Sequence, residues 1–293
     1  MFLTRQKILV TYIYLLGKKC SRLHLIKALF LFCKENENEI YDFHPYLRGP
    51  FSELIFLDLR KLDEKGIIKN GENSLEVIDI EAIKSVLVKL PSEYIYHIQN
   101  TIDKYGELSD KELMNFVYKA YPYFAINNPT KLGKFNKYDP RKKEENKNAK
   151  LFSIGYEGIT IDTYIDKLIL NNITLLLDVR KNPQSMKYGF TKSRLREILT
   201  KRGIKYVHIP ELGINGEERQ ELNSYNDYLE LFSKYRVNLP HKEEYIEQII
   251  SYLDDGERVA LTCFEADCKC CHRNEVTKYL SPMINGKYEL KHI

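Results

Sequence analysis

Apolar side chains recur every three or four residues through the first 120 residues of the chain, as they do in amphipathic helices. In TRQKILVTYIYLLG, the residues Ile8, Tyr12, Leu15 and Leu16 fall at this spacing. Ser21 stands where the N-cap of a second helix, SRLHLIKALFLFCKE, is expected. The pattern predicts a mainly helical N-terminal domain.

A third helix and a hairpin are predicted next. The helix begins at Ser52 and ends at Gly66, because glycine commonly terminates helices. The segments GIIK and SLEVI then flank NGEN, a turn-forming sequence between two short strands. Three helices followed by a hairpin are the element order of a winged helix, a DNA-binding or protein-binding unit. Two further helices are predicted near 80–104 and 109–120.

The pattern changes after residue 150, where short apolar runs alternate with amphipathic segments. Strands are predicted at LFSIGYEG, ITLLLDVR, KYVHIPELG, RVALTCFE and YELKHI. Helices are predicted at TIDTYIDKLILNN, FTKSRLREILTKRG and HKEEYIEQIISYLDD, and from near Cys271 onward. Strands that alternate with helices predict an α/β fold, a mostly parallel sheet with helices on both faces. The predicted division is therefore a winged-helix-like domain (1–130), a basic linker (131–150) and an α/β domain (151–293).

Charge adds little to this division except in the linker. The chain has a net charge of +4, and residues 131–150 contain eight Lys or Arg against three Asp or Glu. Such a segment can contact phosphates, but most charge runs are solvated linkers. The helix from Ser52 carries four carboxylates against three basic groups, which is a poor phosphate footprint. Nucleic acid and a protein partner both remain open for the N-terminal domain.

The N-terminus superficially resembles a signal peptide, since Arg5 and Lys7 precede ILVTYIYLLG. It has no small-residue cleavage site, and Lys18 and Lys19 follow at once. No apolar run approaches the roughly 20 residues that span a bilayer. We expect a cytoplasmic protein without membrane contact, in which clustered cysteines indicate metal binding or chemistry more often than disulfides.

The predicted strands end in polar residues, and ligands bind at the carboxyl ends of open parallel sheets. Asp178 and Arg180 lie on the same side of an extended strand, so they can also form a structural ion pair. The residues expected at this edge are Tyr156 and Glu157 after the first strand, Asp178 and Arg180 after the second, Glu211 after the third, and Cys263 and Glu265 after the fourth.

A cysteine-rich stretch, CFEADCKCCHR, follows the fourth of these strands. Its end, Cys271-His272-Arg273, starts a helix, and helix N-termini attract anions and lower thiol pKa values. Cys268 and Cys271 have one C-x2-C spacing, to which His272 and Cys263 could add ligands, but zinc sites often contain two such pairs and a second clear pair is missing. We therefore assign no metal ligands and leave the cofactor unknown, with zinc possible at this cluster. The spacing of a cysteine phosphatase, five residues between cysteine and arginine, is absent.

Four ordered motifs resemble a known α/β family, the domain of unknown function 488. They are SIGYEG, LLDVRKNP, KYVHIPELG and CFEADCKCCHR, and the resemblance covers roughly residues 150–293. Cys268 and Cys270 look like local additions to the family pattern. The N-terminal half is similar to the winged-helix extension of some members, and the family implies no settled activity. Five residues match its C-x-E…C-H-R signature: Cys263, Glu265, Cys271, His272 and Arg273.

Two functions are consistent with these observations. The first is a hydrolase or transferase that acts on a nucleotide or nucleic acid, with the N-terminal domain binding nucleic acid or a partner. The alternative is a non-catalytic DNA-binding or regulatory protein whose cysteine cluster binds metal or senses redox state. For the enzyme, the predicted catalytic residues are Cys263, Glu265, Glu157, Asp178 and Cys271, and the predicted substrate-binding residues are Tyr156, Arg180, Glu211, His272 and Arg273.

Overall fold

The computed structural model describes residues 2–37, 39–131, 134, 136–139, 149–219, 225–284 and 286–293. The chain divides into two compact units, residues 1–139 and residues 140–293. Most of the predicted basic linker, 132–133, 135 and 140–148, lies outside the described residues. The role of that segment therefore stays a prediction. Within the described residues, no helix is both long enough and apolar enough to cross a membrane.

The N-terminal unit is mainly helical, as the apolar periodicity predicts. Strands β1, β5 and β4 form one antiparallel sheet, and β2 and β3 form a second antiparallel pair. The predicted hairpin is β4 and β5, whereas β1, β2 and β3 were not predicted. The winged-helix assignment stays a prediction. The elements are α1 (Thr4–Leu15), β1 (Lys19–Ser21), α2 (Arg22–Glu35), β2 (His44–Tyr46), β3 (Gly49–Phe51), α3 (Glu53–Glu64), β4 (Ile68–Asn70), β5 (Ser74–Val77), α4 (Ile80–Lys89), α5 (Ser92–Tyr105) and α6 (Asp110–Ala120).

The helix predicted near 80–104 is in fact two helices, α4 and α5. Leu90 has an extended backbone with ψ 129°, and Pro91 is the N-cap of α5. Proline disfavours the helical conformation of the residue before it, which explains the break. The apolar periodicity continues across Pro91 and therefore predicted a single helix. In the structure α4 ends before Pro91 and α5 begins after it.

The C-terminal unit contains one five-stranded sheet whose neighbouring strands are all parallel. The order of strands is β10-β6-β9-β7-β8. The predicted α/β fold is thus confirmed. Helix α9 was not predicted, although Leu231, Phe232, Tyr235 and Leu239 are buried at helical spacing. The elements are β6 (Ala149–Gly155), α7 (Ile161–Leu170), β7 (Leu175–Asp178), α8 (Lys192–Thr200), β8 (Lys205–His208), α9 (Tyr225–Asn238), α10 (Glu243–Asp254), β9 (Val259–Cys263), α11 (His272–Met283) and β10 (Glu289–His292).

One face of this sheet is covered by the last three helices. Leu177 of β7 and Leu261 of β9 belong to the same core as Phe232 of α9, Ile249 of α10 and Val276 of α11. Successive side chains of a strand point to opposite faces, so Cys263, two residues after Leu261, is on this face as well.

Helices α7 and α8 cover the other face. The hydroxyl of Tyr164 in α7 donates a hydrogen bond of 2.7 Å to Oγ1 of Thr262 in β9. Arg196 of α8 lies over the ring of Tyr206 in β8, at 5.5 Å. Because both faces are covered, the strand ends are the part of the sheet that remains open to ligands.

Candidate functional site at the carboxyl edge of the sheet

The end of β9 and the start of α11 bring four reactive side chains into one cluster. Cys263, Glu265, Cys271 and His272 each place a sulfur, nitrogen or oxygen atom within 4.8 Å of the other three. The Sγ atoms of Cys263 and Cys271 lie 3.7 Å and 3.9 Å from Nδ1 of His272. All four residues were predicted as site residues, and the fold assembles them although seven residues lie between Cys263 and Cys271.

The loop between strand and helix decides which cysteines take part. Cys271 is the N-cap of α11, with an extended backbone that turns the chain back to the end of β9. Cys268 and Cys270 lie in a short 3₁₀ turn of the returning loop, where the Asp267 side chain accepts a hydrogen bond from the Lys269 N–H. Those two thiols are outside the four-residue cluster. The turn thus separates the signature residues from the two additional cysteines.

Arg273 braces this loop from inside the domain. Its side chain is buried, with 1% exposure, and its guanidinium donates to the carbonyl oxygens of Glu265 at 2.6 Å and Ala266 at 3.1 Å. A third bond of 3.3 Å reaches Oγ of Ser153 in β6. Gly155 completes the support, because a Cβ at this position would lie 1.9 Å from the Glu265 carbonyl oxygen. The loop is therefore held closely against the end of β6.

His272 is buried and fixed in one orientation. Its Nε2 donates a hydrogen bond of 3.0 Å to the backbone carbonyl of Val179, which follows β7. In the neutral ring this bond leaves the lone pair on Nδ1, the atom that faces the two sulfurs. Burial raises the pKa of the Cys271 thiol well above its usual value, the adjacent Cys263 raises it further, and the charge of Arg273 lowers it.

Asp178 and Arg180, at the end of β7, form a second and quite different polar group. Arg180 donates to both carboxylate oxygens of Asp178, from Nε at 2.8 Å and from Nη2 at 2.5 Å. Tyr206 donates to the same carboxylate at 2.6 Å. The remaining Nη1 of Arg180 donates to the Tyr156 hydroxyl and to the Phe190 carbonyl. Of the two arrangements that the sequence left open, the structure contains the internal ion pair.

Burial of this second group is nearly complete. Asp178 is 0% exposed and Arg180 is 5% exposed. Burial alone would lower the pKa of the Arg180 guanidinium, but the hydrogen bonds and charge of Asp178 raise it above its usual value. Tyr156 is stacked on Phe190 with ring centroids 4.2 Å apart. The predicted catalytic and phosphate-binding roles of these residues stay predictions, and their contacts show them holding the strand end in place.

The solvent side of the edge is formed by other residues. Glu157 is exposed and accepts a hydrogen bond of 3.0 Å from the Ala266 N–H. Phe264 is 45% exposed and contacts the ring of Tyr156 edge-on. Lys187 donates from Nζ to the Tyr156 carbonyl at 2.7 Å, and burial lowers the pKa of its amine although the nearby Glu157 raises it. Neither Phe264 nor Lys187 is among the predicted site residues: Phe264 carries no periodic signal, and for Lys187, in a loop beside the strand ends, the sequence favoured solvent exposure over substrate contact.

Glu211 is not brought into the cluster. It lines a separate cavity of about 490 Å³ together with Lys181, Tyr235 and Lys242. Glu211 follows β8, and β7 lies between β8 and β9. Two strand spacings place the end of β8 about 10 Å from that of β9. The four strand ends grouped by sequence therefore form more than one site.

The cluster lies inside the part of the chain that matches a family. The family model described as "Domain of unknown function DUF488" matches residues 160–280, from the cap of α7 into α11. We refer to the region that contains this match as the DUF488 domain. The match confirms the predicted resemblance, but it is narrower than the predicted 150–293 and contains three of the four motifs, since SIGYEG precedes residue 160. No curated protein shows a significant match to the chain.

The donor set of the DUF488 domain limits its chemistry. Two thiols, an imidazole and a carboxylate can form a thiol–imidazole reaction centre or can bind a thiophilic divalent ion. They lie at the carboxyl edge, where ligands of parallel sheets bind.

Proposed function

We propose that the DUF488 domain is an enzyme that acts on a nucleotide or nucleic acid, and that its reaction centre is the cluster of Cys263, Glu265, Cys271 and His272. The observation that carries the proposal is the convergence of these four groups within 4.8 Å at the carboxyl end of β9. Thiol, imidazole and carboxylate are groups that attack, transfer protons or bind metal in catalysis. Their assembly from one strand end and one helix start favours chemistry over a purely structural role.

The substrate class is supported by the residues on the solvent side. Phe264 presents a partly exposed ring, and aromatic rings stack on nucleobases. Lys187 donates a hydrogen bond to the carbonyl of Tyr156, the residue whose ring Phe264 contacts, and offers a positive charge for phosphate. These two residues replace Arg180 and Arg273 as the most accessible candidates for substrate contact.

Within the cluster, the roles follow burial. Glu265 is partly exposed, whereas Cys263, Cys271 and His272 are 3%, 0% and 1% exposed. We therefore assign proton transfer to Glu265, because a general acid or base must reach the substrate directly or through one water molecule. The buried thiols and imidazole either bind the group that reacts with the substrate or react with the substrate themselves.

Turnover of a defined panel tests the proposal. Purified full-length chain is incubated with nucleoside mono-, di- and triphosphates and with single- and double-stranded oligonucleotides, and products are identified by mass spectrometry. We expect at least one product, with a rate reduced by about 100-fold or more in Glu265→Gln, which removes proton transfer. Glu257→Gln is the matched control, since Glu257 lies before β9 at the opposite edge of the sheet.

Two results would contradict the proposal. One is the absence of any product from the whole panel with folded protein. The other is a product that forms equally fast with Glu265→Gln and with Glu257→Gln, because the activity would then not use this edge of the sheet.

For the N-terminal unit we propose the binding of a phosphate-containing ligand, such as nucleic acid. A cavity of about 610 Å³ is lined by Arg22, Lys27 and Arg48 and by the rings of Phe51 and Phe56. The two phenylalanine rings are stacked at 4.7 Å, and the Arg22 guanidinium lies 5.5 Å from the Phe56 ring. Cationic groups beside aromatic faces suit a nucleotide or a single strand.

Fluorescence anisotropy with labelled oligonucleotides tests this binding. We expect Arg48→Ala to weaken it and to reduce its salt dependence, because each phosphate contact releases counterions. Lys84→Ala is the control, since Lys84 is exposed on α4 and pairs with Glu81. Binding without turnover would favour the alternative function, a non-catalytic regulatory protein, and equal weakening by both variants would rule out a specific role of the cavity.

A further inference from the structure

We infer that Cys263, Glu265, Cys271 and His272 bind one zinc-type divalent cation. The inference deepens the proposed function, because it names the cofactor of the same cluster, but its test does not require turnover. No metal ligands are assigned from the sequence, because a second C-x2-C pair is missing. The ligand set in the structure is instead C-x-E…C-H, assembled by a strand end and a helix start.

The distances fit the size of such an ion. In a tetrahedral site with Zn–S of about 2.3 Å and Zn–N of about 2.0–2.1 Å, sulfur and nitrogen ligands lie about 3.5 Å apart. The Sγ atoms of Cys263 and Cys271 are 3.7 Å and 3.9 Å from Nδ1 of His272. Movements of a few tenths of an ångström would bring each sulfur to the tetrahedral distance from Nδ1.

The orientation of His272 is that of a metal ligand. Its Nε2 donates to the Val179 carbonyl at 3.0 Å, so the neutral ring presents the lone pair of Nδ1 to the sulfurs. Histidine ligands nearly always have their other ring nitrogen bonded in this way, because the bond fixes both tautomer and ring direction.

The surrounding charge also suits a divalent cation. Two thiolates and one carboxylate carry one more negative charge than such a cation carries positive charge. The buried guanidinium of Arg273 supplies the difference, since it lies against the Glu265 carbonyl and its charge acts on Cys271. Buried charges are stable when they are paired or bound to metal.

Burial favours metal ligation over attack by a thiolate. Cys263 and Cys271 are 3% and 0% exposed, whereas catalytic nucleophiles need access to their substrate. Thiolate and imidazole ligands select zinc rather than magnesium or calcium. Glu265 is the most exposed of the four, so we assign it the ligand position that water or a substrate can take over, which releases its carboxylate for the proposed proton transfer.

Metal binding is tested on the reduced, full-length chain after treatment with a chelator. Zinc is quantified by elemental analysis before that treatment, and Co²⁺ is then titrated while the thiolate-to-cobalt absorption is followed. We expect one ion per chain and an absorption spectrum typical of tetrahedral coordination with two thiolates. Zinc added afterwards should displace the cobalt and abolish the spectrum.

Cysteine variants show whether the ion occupies this cluster. Cys263→Ser and Cys271→Ser should each weaken binding by more than the roughly 10–100-fold that loss of an outer-shell partner costs. Cys268→Ser and Cys270→Ser are the matched controls, since both thiols lie in the same loop outside the cluster. Glu265→Gln should retain the ion with a changed cobalt spectrum, which is informative even where a cysteine variant does not fold.

The outcomes are decisive in both directions. A wild-type chain that gives no thiolate-to-cobalt absorption overturns the inference, as does a site lost on changing Cys268 or Cys270 but kept without Cys263. Oxidation that joins Cys263 to Cys271 with no metal taken up would identify a redox pair instead. Absence of metal leaves the proposed enzyme with thiol chemistry, whereas metal without turnover supports a binding or regulatory protein.

Discussion

Two polar groups lie at the ends of the neighbouring strands β7 and β9, and they are built on opposite principles. Around Asp178, one carboxylate meets the guanidinium of Arg180 and the hydroxyl of Tyr206. Each hydrogen-bond donor there has an acceptor, and each charge has its opposite. Around Cys263, two sulfurs, a carboxylate and an imidazole nitrogen converge instead. Only protons or a cation can stabilise such a concentration of lone pairs.

The two groups at this edge of the sheet therefore differ in role: the ion pair is structural, and the cluster has the proposed function. A buried ion pair with complete hydrogen bonding fixes the backbone, but it has no capacity left for a ligand. A cluster of ligand atoms has lone pairs that a bound cation can use, which is why we propose a chemical role for it. Sequence position alone placed both groups in one predicted site.

The largest effect is expected from breaking the Asp178 group. Arg180→Met leaves the carboxylate of Asp178 buried without its cation, so we expect the free energy of unfolding to fall by about 3–5 kcal/mol. Urea denaturation measures this loss, with Lys84→Gln as a control that should leave the midpoint unchanged. A loss below about 1 kcal/mol would mean that water enters and that the group is not the rigid support described here.

A smaller loss is expected where the cluster is supported by the backbone. Gly155→Ala places a methyl group within 1.9 Å of the Glu265 carbonyl, so the loop must move. We expect a loss of about 1–3 kcal/mol, as for other overpacked sites, together with weaker metal binding. Gly216→Ala is the control, since a Cβ at Gly216 meets no atom within 4 Å. Unchanged metal binding in Gly155→Ala would show that the loop does not need this close contact.

Lys27 is a third buried basic residue, and its hydrogen-bond partner differs from that of Arg180. Its ammonium donates to the Pro50 carbonyl rather than to a carboxylate, and burial, with the charge of Arg48, lowers its pKa to about 7. Between this value and the usual pKa of lysine, the unfolded chain binds more protons than the folded chain. Stability contributed by Lys27 therefore rises with pH in this range, by about 2 kcal/mol from pH 7 to 9.

Lys27→Met isolates this contribution, because it removes the amine and keeps an apolar side chain of similar length. Denaturation of both proteins at pH 7, 8 and 9 should show the wild type gaining stability relative to the variant as the pH rises. Parallel curves over this range would mean that the amine keeps its proton in the folded protein, as the guanidinium of Arg180 does.

Much of the fold follows from local patterns. The helical period of α2 and the apolar runs of β7 and β9 predicted their elements because burial acts on each segment separately. The errors in the predicted elements also have local causes. A proline divides α4 from α5, and the three-residue strands β1, β2 and β3 are too short to show a period.

The chain by itself determined the parallel sheet, the edge at which the four-residue cluster lies and the residues of the C-x-E…C-H-R signature. Tertiary structure decided how these residues are used. Strand order placed the end of β8, which precedes Glu211, about 10 Å from the end of β9. Side-chain contacts assigned Arg180 and Arg273 to internal bonds, and the 3₁₀ turn separated Cys268 and Cys270 from Cys263 and Cys271. Periodicity is local and can be read along one segment, whereas pairing of charges and convergence of ligands depend on neighbours that only folding supplies.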